Sequence, residues 1–333
     1  MLRLSKDNST IIKGIVIMMM LLSHLFNEAR QDLFTPIFYI GNRPFISWLI
    51  RACGPIPFFL LLSGYGLAYK FETSNISPKK QFPRIVRLYI YYWVILAFFL
   101  TIGHLLKPSL YPGSFLKLFK NMLGWDVTYN SPMWFLLPYS ILSLLSMYII
   151  RLIAKAGNIW ALIIAILINL TTSFFISRYG SFLYHNMTVY QPFLCFHLLV
   201  WFTVGVALRQ TPLNLNKDLP QWLVAVAIIT LVVVTSVLHS FLFYYLYVPL
   251  LVILLCHVKW PHCISTILAE LGRKSMPIWM IHTWLSHYLF EAQVYSLKYV
   301  PFIFIALLAV SYLLSIPVMW IAERINQLVF RKG

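Results

Sequence analysis

STIIKGIVIMMMLLSHLFN, residues 9 to 27, is apolar enough to cross a bilayer and yet carries Lys13 near one end and His24 near the other. At 1.5 Å per residue a helix of this length matches the ~30 Å hydrocarbon core. Ionisable groups inside such a segment are expensive, so they face the helix bundle and mark function by default. Eleven residues at about 100° each make roughly three full turns, which puts both side chains on one face about 16 Å apart along the axis. A first helix with a polar face at both ends decides the class of fold to look for in the rest of the chain.

The remaining sequence repeats the apolar pattern. Of 333 residues 60% are hydrophobic and only 11% charged, and the mean hydropathy is +0.79, which excludes a soluble core and indicates an all-α integral membrane protein. Apolar runs at 10–27, 45–70, 84–104, 131–150, 157–177, 191–208, 220–238, 241–258, 274–291 and 300–322 predict a bundle of about ten transmembrane helices in one domain, residues 1–333. The stretch 220–258 is divided at Leu238 to Ser240, because a single helix would be about 58 Å long. With the N-terminus inside, eighteen of the 26 lysines and arginines fall in inner segments and seven in outer loops, while Arg51 lies within a span. Without the hairpin at 238–240 that bias would vanish. Both termini are therefore expected in the cytoplasm.

The formal net charge of +17 sits in short connections between apolar runs, which reads as topology and not as a nucleic-acid surface. Cys53, Cys195, Cys256 and Cys263 show neither metal spacing nor a redox pair, and no permanently bound cofactor or metal is expected. The basic N-terminus lacks a small-residue cleavage site nearby and reads as a retained span. Gly54, Pro55, Pro57, Gly64 and Gly66 predict a broken second span, either lining a cavity or forming a packing kink. A short amphipathic piece at Phe115 to Met122 suits a membrane surface.

Several polar residues are candidates for chemistry. His24 suits a general base, since an ordinary imidazole is largely neutral at pH 7. Lys13 fits either a phosphate contact or an anchor that snorkels to headgroups. Arg84 and Arg87, one turn apart at the start of the third span, satisfy the positive-inside rule and also match phosphate oxygens bidentately. Arg51, in the outer half of its span, would pair with an anionic group or snorkel. Trp134 and Tyr139, at the outer end of the fourth span, would stack on a sugar ring or belong to the interfacial aromatic belt. Ser63 lacks a nucleophile elbow and reads with Gly64 as a close-packing site. His282 reads as a hydrogen-bonding group in the bundle.

The order of these motifs resembles the membrane acyltransferase-3 family. Lys13 to His24 is similar to its first-helix signature, a basic residue eleven positions before a histidine. Phe58, Phe59, Ser63, Gly64 and Tyr65 resemble its Phe-Phe-x-x-Ser-Gly-Tyr/Phe segment, and Arg84 and Arg87 its Arg-x-x-Arg. Met133 to Leu136 resembles its Trp-Phe motif, and Leu271 to His282 a late Gly-x-x-Ser…His element. Two departures stand out: lysine replaces the usual arginine at 13, as in a branch related to sugar O-acetylases, and Thr10 stands where an acidic residue is common.

The resemblance implies transfer of an acyl group, usually acetyl, from cytoplasmic acyl-coenzyme A to a hydroxyl of an envelope glycan or lipid-linked glycan, by a multi-pass protein of the inner (plasma) membrane. On that reading Lys13, Arg84 and Arg87 contact coenzyme phosphates and His24 is the base, with Arg51, Trp134 and Tyr139 on the acceptor. Membrane lipids are the remaining partner, and nucleic acid is not one. A transporter or flippase for a lipid-linked glycan is the alternative, though only the second span is conspicuously broken and no matching segment occurs in the second half.

Overall fold

A computed structural model describes residues 4–74, 76–211 and 219–330. Among the described residues the regular structure is helical apart from one small hairpin, β1 (Tyr39–Ile40) paired with β2 (Arg43–Pro44). Its helices are α1 (Lys6–Leu25), α2 (Phe45–Leu49), α3 (Pro55–Thr73), α4 (Pro78–Leu106), α5 (Phe115–Met122), α6 (Leu136–Ala156), α7 (Asn158–His185), α8 (Met187–Gln210), α9 (Gln221–Leu238), α10 (Tyr244–His257), α11 (His262–Arg273), α12 (Ser275–Thr283), α13 (Glu291–Tyr295) and α14 (Val300–Val329). Among the described residues eight segments are long and apolar enough to cross a membrane. The expected spans 241–258 and 274–291 are helical but shorter: α10 has 14 residues, and the second is split into α12, a π-turn at Trp284–Leu289 and α13. Arg3, Lys217, Arg331 and Lys332, four of the charges behind the expected orientation, lie outside the described residues.

The chain divides into two compact units, Met1–Phe59 with Leu213–Pro317, and Leu60–Pro212 with Val318–Gly333. In the first unit α1 starts on a Ser5 cap whose hydroxyl accepts the Asn8 N–H at 3.0 Å, removing one of the helix's unpaired donors. The helix then runs without interruption past Lys13 to His24. It lies against α11, an amphipathic helix that the reading of spans left as a connection. The approach is close enough that a Cβ on Gly14 would come within 2.0 Å of the Leu268 carbonyl oxygen, and one on Gly272 within 1.9 Å of that of Thr10. Only glycine fits at those two points.

The break at 238–240 is real. His239 takes a left-handed φ of 44° at the end of α9, and α10 returns antiparallel, since the Gln221 side chain donates to the His257 carbonyl at 3.1 Å and accepts the Lys259 N–H at 2.8 Å. The break before α3 is also as expected, and this hairpin seals it. Tyr244 donates its hydroxyl to the Arg51 carbonyl at 2.5 Å and accepts the Gly54 N–H at 3.3 Å, while Tyr247 donates to the Ala52 carbonyl at 2.9 Å. Backbone groups that the interrupted helix leaves unpaired are thus satisfied from within the protein.

In the second unit α3 packs on α8, where Gly64 meets the Phe202 carbonyl and Gly205 that of Leu61, which is the close packing expected of the Ser63–Gly64 pair. An apolar cluster of Leu67, Ala68, Ile76, Ile150, Ile153, Ala161, Phe202 and Val206 joins α3, α6, α7 and α8. The segment between α4 and α6 folds back along α4. Tyr89 and Tyr92 hydroxyls and the Trp93 indole N–H donate to the carbonyls of Leu123, Asn121 and Met122 at 2.8, 2.8 and 2.9 Å.

Candidate active site

His24 occupies the last turn of α1, whose end is held by the Asn27 amide donating to the His24 carbonyl at 3.1 Å and by the buried Tyr295 hydroxyl donating to the Leu25 carbonyl at 2.7 Å. Its ring lies against that of His282 on α12, with centroids 4.9 Å apart and planes at 24°. His24 Nδ1 is 2.7 Å from His282 Nε2. His282 is fully buried, and its Nδ1 faces the carbonyls of Trp279 at 2.7 Å and Ile278 at 3.3 Å.

These contacts dictate where the hydrogens sit. A carbonyl oxygen only accepts, so Nδ1 of His282 carries the hydrogen, and Nε2 of the neutral ring is an acceptor. His24 must then donate through Nδ1, which leaves its own Nε2 with the lone pair. A base oriented by a third group through its other nitrogen is the arrangement expected of an activated histidine. Here the orienting group is a second imidazole in place of a carboxylate.

The element carrying His282 continues into the π-turn, a local geometry frequent at functional sites. Ser286, in that turn, donates to the His282 carbonyl at 3.0 Å, and its oxygen is 2.7 Å from Nδ1 of His287. Arg30 pins the turn to the segment after α1, pairing with Glu291 and reaching the Ser286 carbonyl at 3.4 Å. Its guanidinium also lies 5.9 Å from the centre of the Tyr295 ring.

The late Gly-x-x-Ser…His element acquires a common purpose in this geometry. Gly272 admits the backbone of α1, Ser275 donates to the Gly272 carbonyl at 2.9 Å, and His282 holds His24. The family model for an acyltransferase domain matches residues 7–323. The chain belongs to the acyltransferase-3 family. No curated protein and no solved structure matches it. Membership makes the protein a membrane acyltransferase.

The other sequence candidates are distributed as follows. Lys13 lies three turns before His24 on α1, beside the close approach to α11. There Glu270 pairs with Lys274 and, at 2.6 Å, with Arg273, and accepts the Tyr312 hydroxyl at 3.1 Å. Arg51, in the short 3-10 turn before α3, stacks its guanidinium 4.6 Å over the Trp48 ring. In the second unit Arg84 and Arg87 diverge: Arg84 donates to the Tyr139 hydroxyl at 2.9 Å, whereas Arg87 lies 5.0 Å over the Phe330 ring. Arg84 and Tyr139 were expected at opposite ends of neighbouring spans. They meet because the connection folds back along α4, so that α6 begins beside the body of α4, and because both side chains are long. Trp134 lies edge to face with Phe135 at 6.2 Å in the 3-10 turn that leads into α6.

Sequence reasoning missed His287, Ser286, Arg30 and Glu291. Five residues of α-helix turn about 500°, which would set His287 roughly 140° away from His282. The wider i→i+5 turn brings the fifth residue back towards the same side. Among the described residues no three His, Cys, Asp or Glu side chains come together in a way that would hold a metal ion.

Proposed function

We propose that the protein is an O-acyltransferase that moves an acyl group, acetyl by family habit, from cytoplasmic acyl-coenzyme A to a hydroxyl of an envelope glycan or lipid-linked sugar at the inner membrane. The observation that carries this reading is the His24–His282 hydrogen bond, which leaves Nε2 of His24 as the basic nitrogen. In the reaction Nε2 takes the proton of the acceptor hydroxyl as its oxygen attacks the thioester carbonyl. The C–S bond breaks, and the departing thiolate recovers the proton from the imidazolium, so that charge balances over the turnover. His282 keeps the Nδ1 hydrogen of His24 engaged throughout and stabilises the transient cation.

Lys13 is the proposed contact for a coenzyme phosphate, serving as a point charge, whereas the Arg84 guanidinium is engaged by the Tyr139 hydroxyl and Arg87 lies over the Phe330 ring. Lys13 and His24 share one uninterrupted helix, and their separation of about 16 Å suits an extended pantetheine arm running between phosphate and thioester. Arg51 is proposed on the acceptor side.

Purified protein in detergent, given acetyl-coenzyme A and a panel of glycosides, tests the whole reading. Thioester cleavage coupled to glycoside acetylation is expected, with His24→Ala lowering the rate by about 10²–10⁴-fold, the usual contribution of a general base. Full activity in that variant would remove His24 from the mechanism. Lys13→Ala is expected to raise KM for the donor with little change in kcat, and an unchanged KM would make Lys13 a membrane anchor. Glycan transport without any acyl transfer would replace the enzyme reading altogether.

A further inference from the structure

His287 is a partly buried imidazole that the mechanism above does not use. Its ring meets that of His24 edge to face with centroids 6.2 Å apart. The hydrogen assignment used for His282 extends to it. Ser286 spends its hydroxyl hydrogen on the His282 carbonyl, so the Ser286 oxygen can only accept from Nδ1 of His287. Nδ1 therefore carries the hydrogen, and Nε2 of His287 is an acceptor. Two neighbouring imidazoles thus each offer a lone pair, a pattern that calls for two O–H or N–H donors on whatever binds between them.

The two rings are backed differently. His24 leans on an imidazole able to stabilise a positive charge, whereas His287 leans on a hydroxyl whose hydrogen is already committed. That difference fits a base beside a binder. The thioester carbonyl offers no donor, but a glycan hydroxyl adjacent to the reacting one does, and ring centres 6.2 Å apart leave room for two donor contacts of about 2.8 Å each. A hydroxyl also accepts, and Arg30, held beside this turn by Glu291 and the Ser286 carbonyl, is the nearby donor.

We infer that His287 receives the hydroxyl next to the one acylated, so that the acceptor subsite is built for vicinal diols. The inference rests on the acyl-transfer reading and adds the class of acceptor and a specificity-determining residue. The test uses the full chain in detergent with acetyl-coenzyme A, a methyl hexopyranoside bearing adjacent free hydroxyls, and its monodeoxy counterparts. His287→Leu is expected to raise KM for the diol glycoside about tenfold, in keeping with the loss of one hydrogen bond, and to leave KM for acetyl-coenzyme A unchanged. His287→Gln, which keeps an acceptor atom, is expected to recover most of the loss. Monodeoxy glycosides are expected to be about tenfold poorer for the wild type and to lose nothing further in His287→Leu, because the contact is already absent. Equal losses on diol and monodeoxy glycosides, or a raised KM for acetyl-coenzyme A, would overturn the assignment. So would a wild type that acetylates both glycosides equally well, which leaves the acyl-transfer reading standing. A wild type that acetylates none of them strikes that reading itself.

Discussion

Replacing His282 with leucine removes the acceptor for the Nδ1 hydrogen of His24 while keeping an apolar side chain in a site with no solvent access. The unpaired N–H then costs free energy in a buried setting, and the ring is free to adopt the tautomer that places the hydrogen on Nε2. The expected result is a fall in kcat on the order of 10–100-fold, typical of losing a group that orients a histidine, with KM for the donor nearly unchanged. His282→Gln, whose carbonyl oxygen can accept the same hydrogen, is expected to retain more activity than His282→Leu at equal thermal stability. Equal activity in the two variants would make His282 a packing residue only. At this scale the sequence was partly legible. His24 announces itself by its cost inside an apolar helix, but its partner is 258 residues away in sequence, and no local pattern links the two.

The seam between α1 and α11 belongs to the scale of elements. Gly14 and Gly272 each face a backbone carbonyl of the opposite helix at a distance no Cβ tolerates. Gly14→Ala or Gly272→Ala must push the helices apart, at a cost of about 1–3 kcal/mol, and α11 leads directly into the helix that holds His282. A lower melting temperature in detergent is therefore expected together with a reduced kcat, because the 2.7 Å contact between the histidines depends on this spacing. Ser63→Ala, beside the separate seam at Gly64, is expected to leave kcat unchanged. A melting temperature unaffected by both glycine substitutions would show that the helices yield at this point. The break at Gly54, written in glycine and proline, was readable from sequence, and the one at 238–240 from the length of the apolar stretch and the charge bias. The π-turn was not, because Trp284 to Leu289 contains neither glycine nor proline and its apolar pattern fits a continuous span.

At the scale of the whole molecule, the hydropathy pattern conveys the class of fold and most of the spans, since membrane insertion imposes length and apolarity on each helix separately. It conveys less about a segment buried among other helices, such as α12, which its neighbours support and which need not span alone. Orientation follows from charge, and the bias of lysine and arginine predicts that the connection before α4 faces the cytoplasm and the one after it faces outward. This is open to labelling in a background free of Cys53, Cys195, Cys256 and Cys263. Lys79 and Ser109 are both exposed at opposite ends of α4. A membrane-impermeant maleimide added to intact cells is expected to label Ser109→Cys and to reach Lys79→Cys only after the membrane is opened. The reverse pattern would put the Lys13 end of α1 outside, away from the cytoplasmic acyl-coenzyme A pool, and would force the donor to enter from the side on which His24 lies.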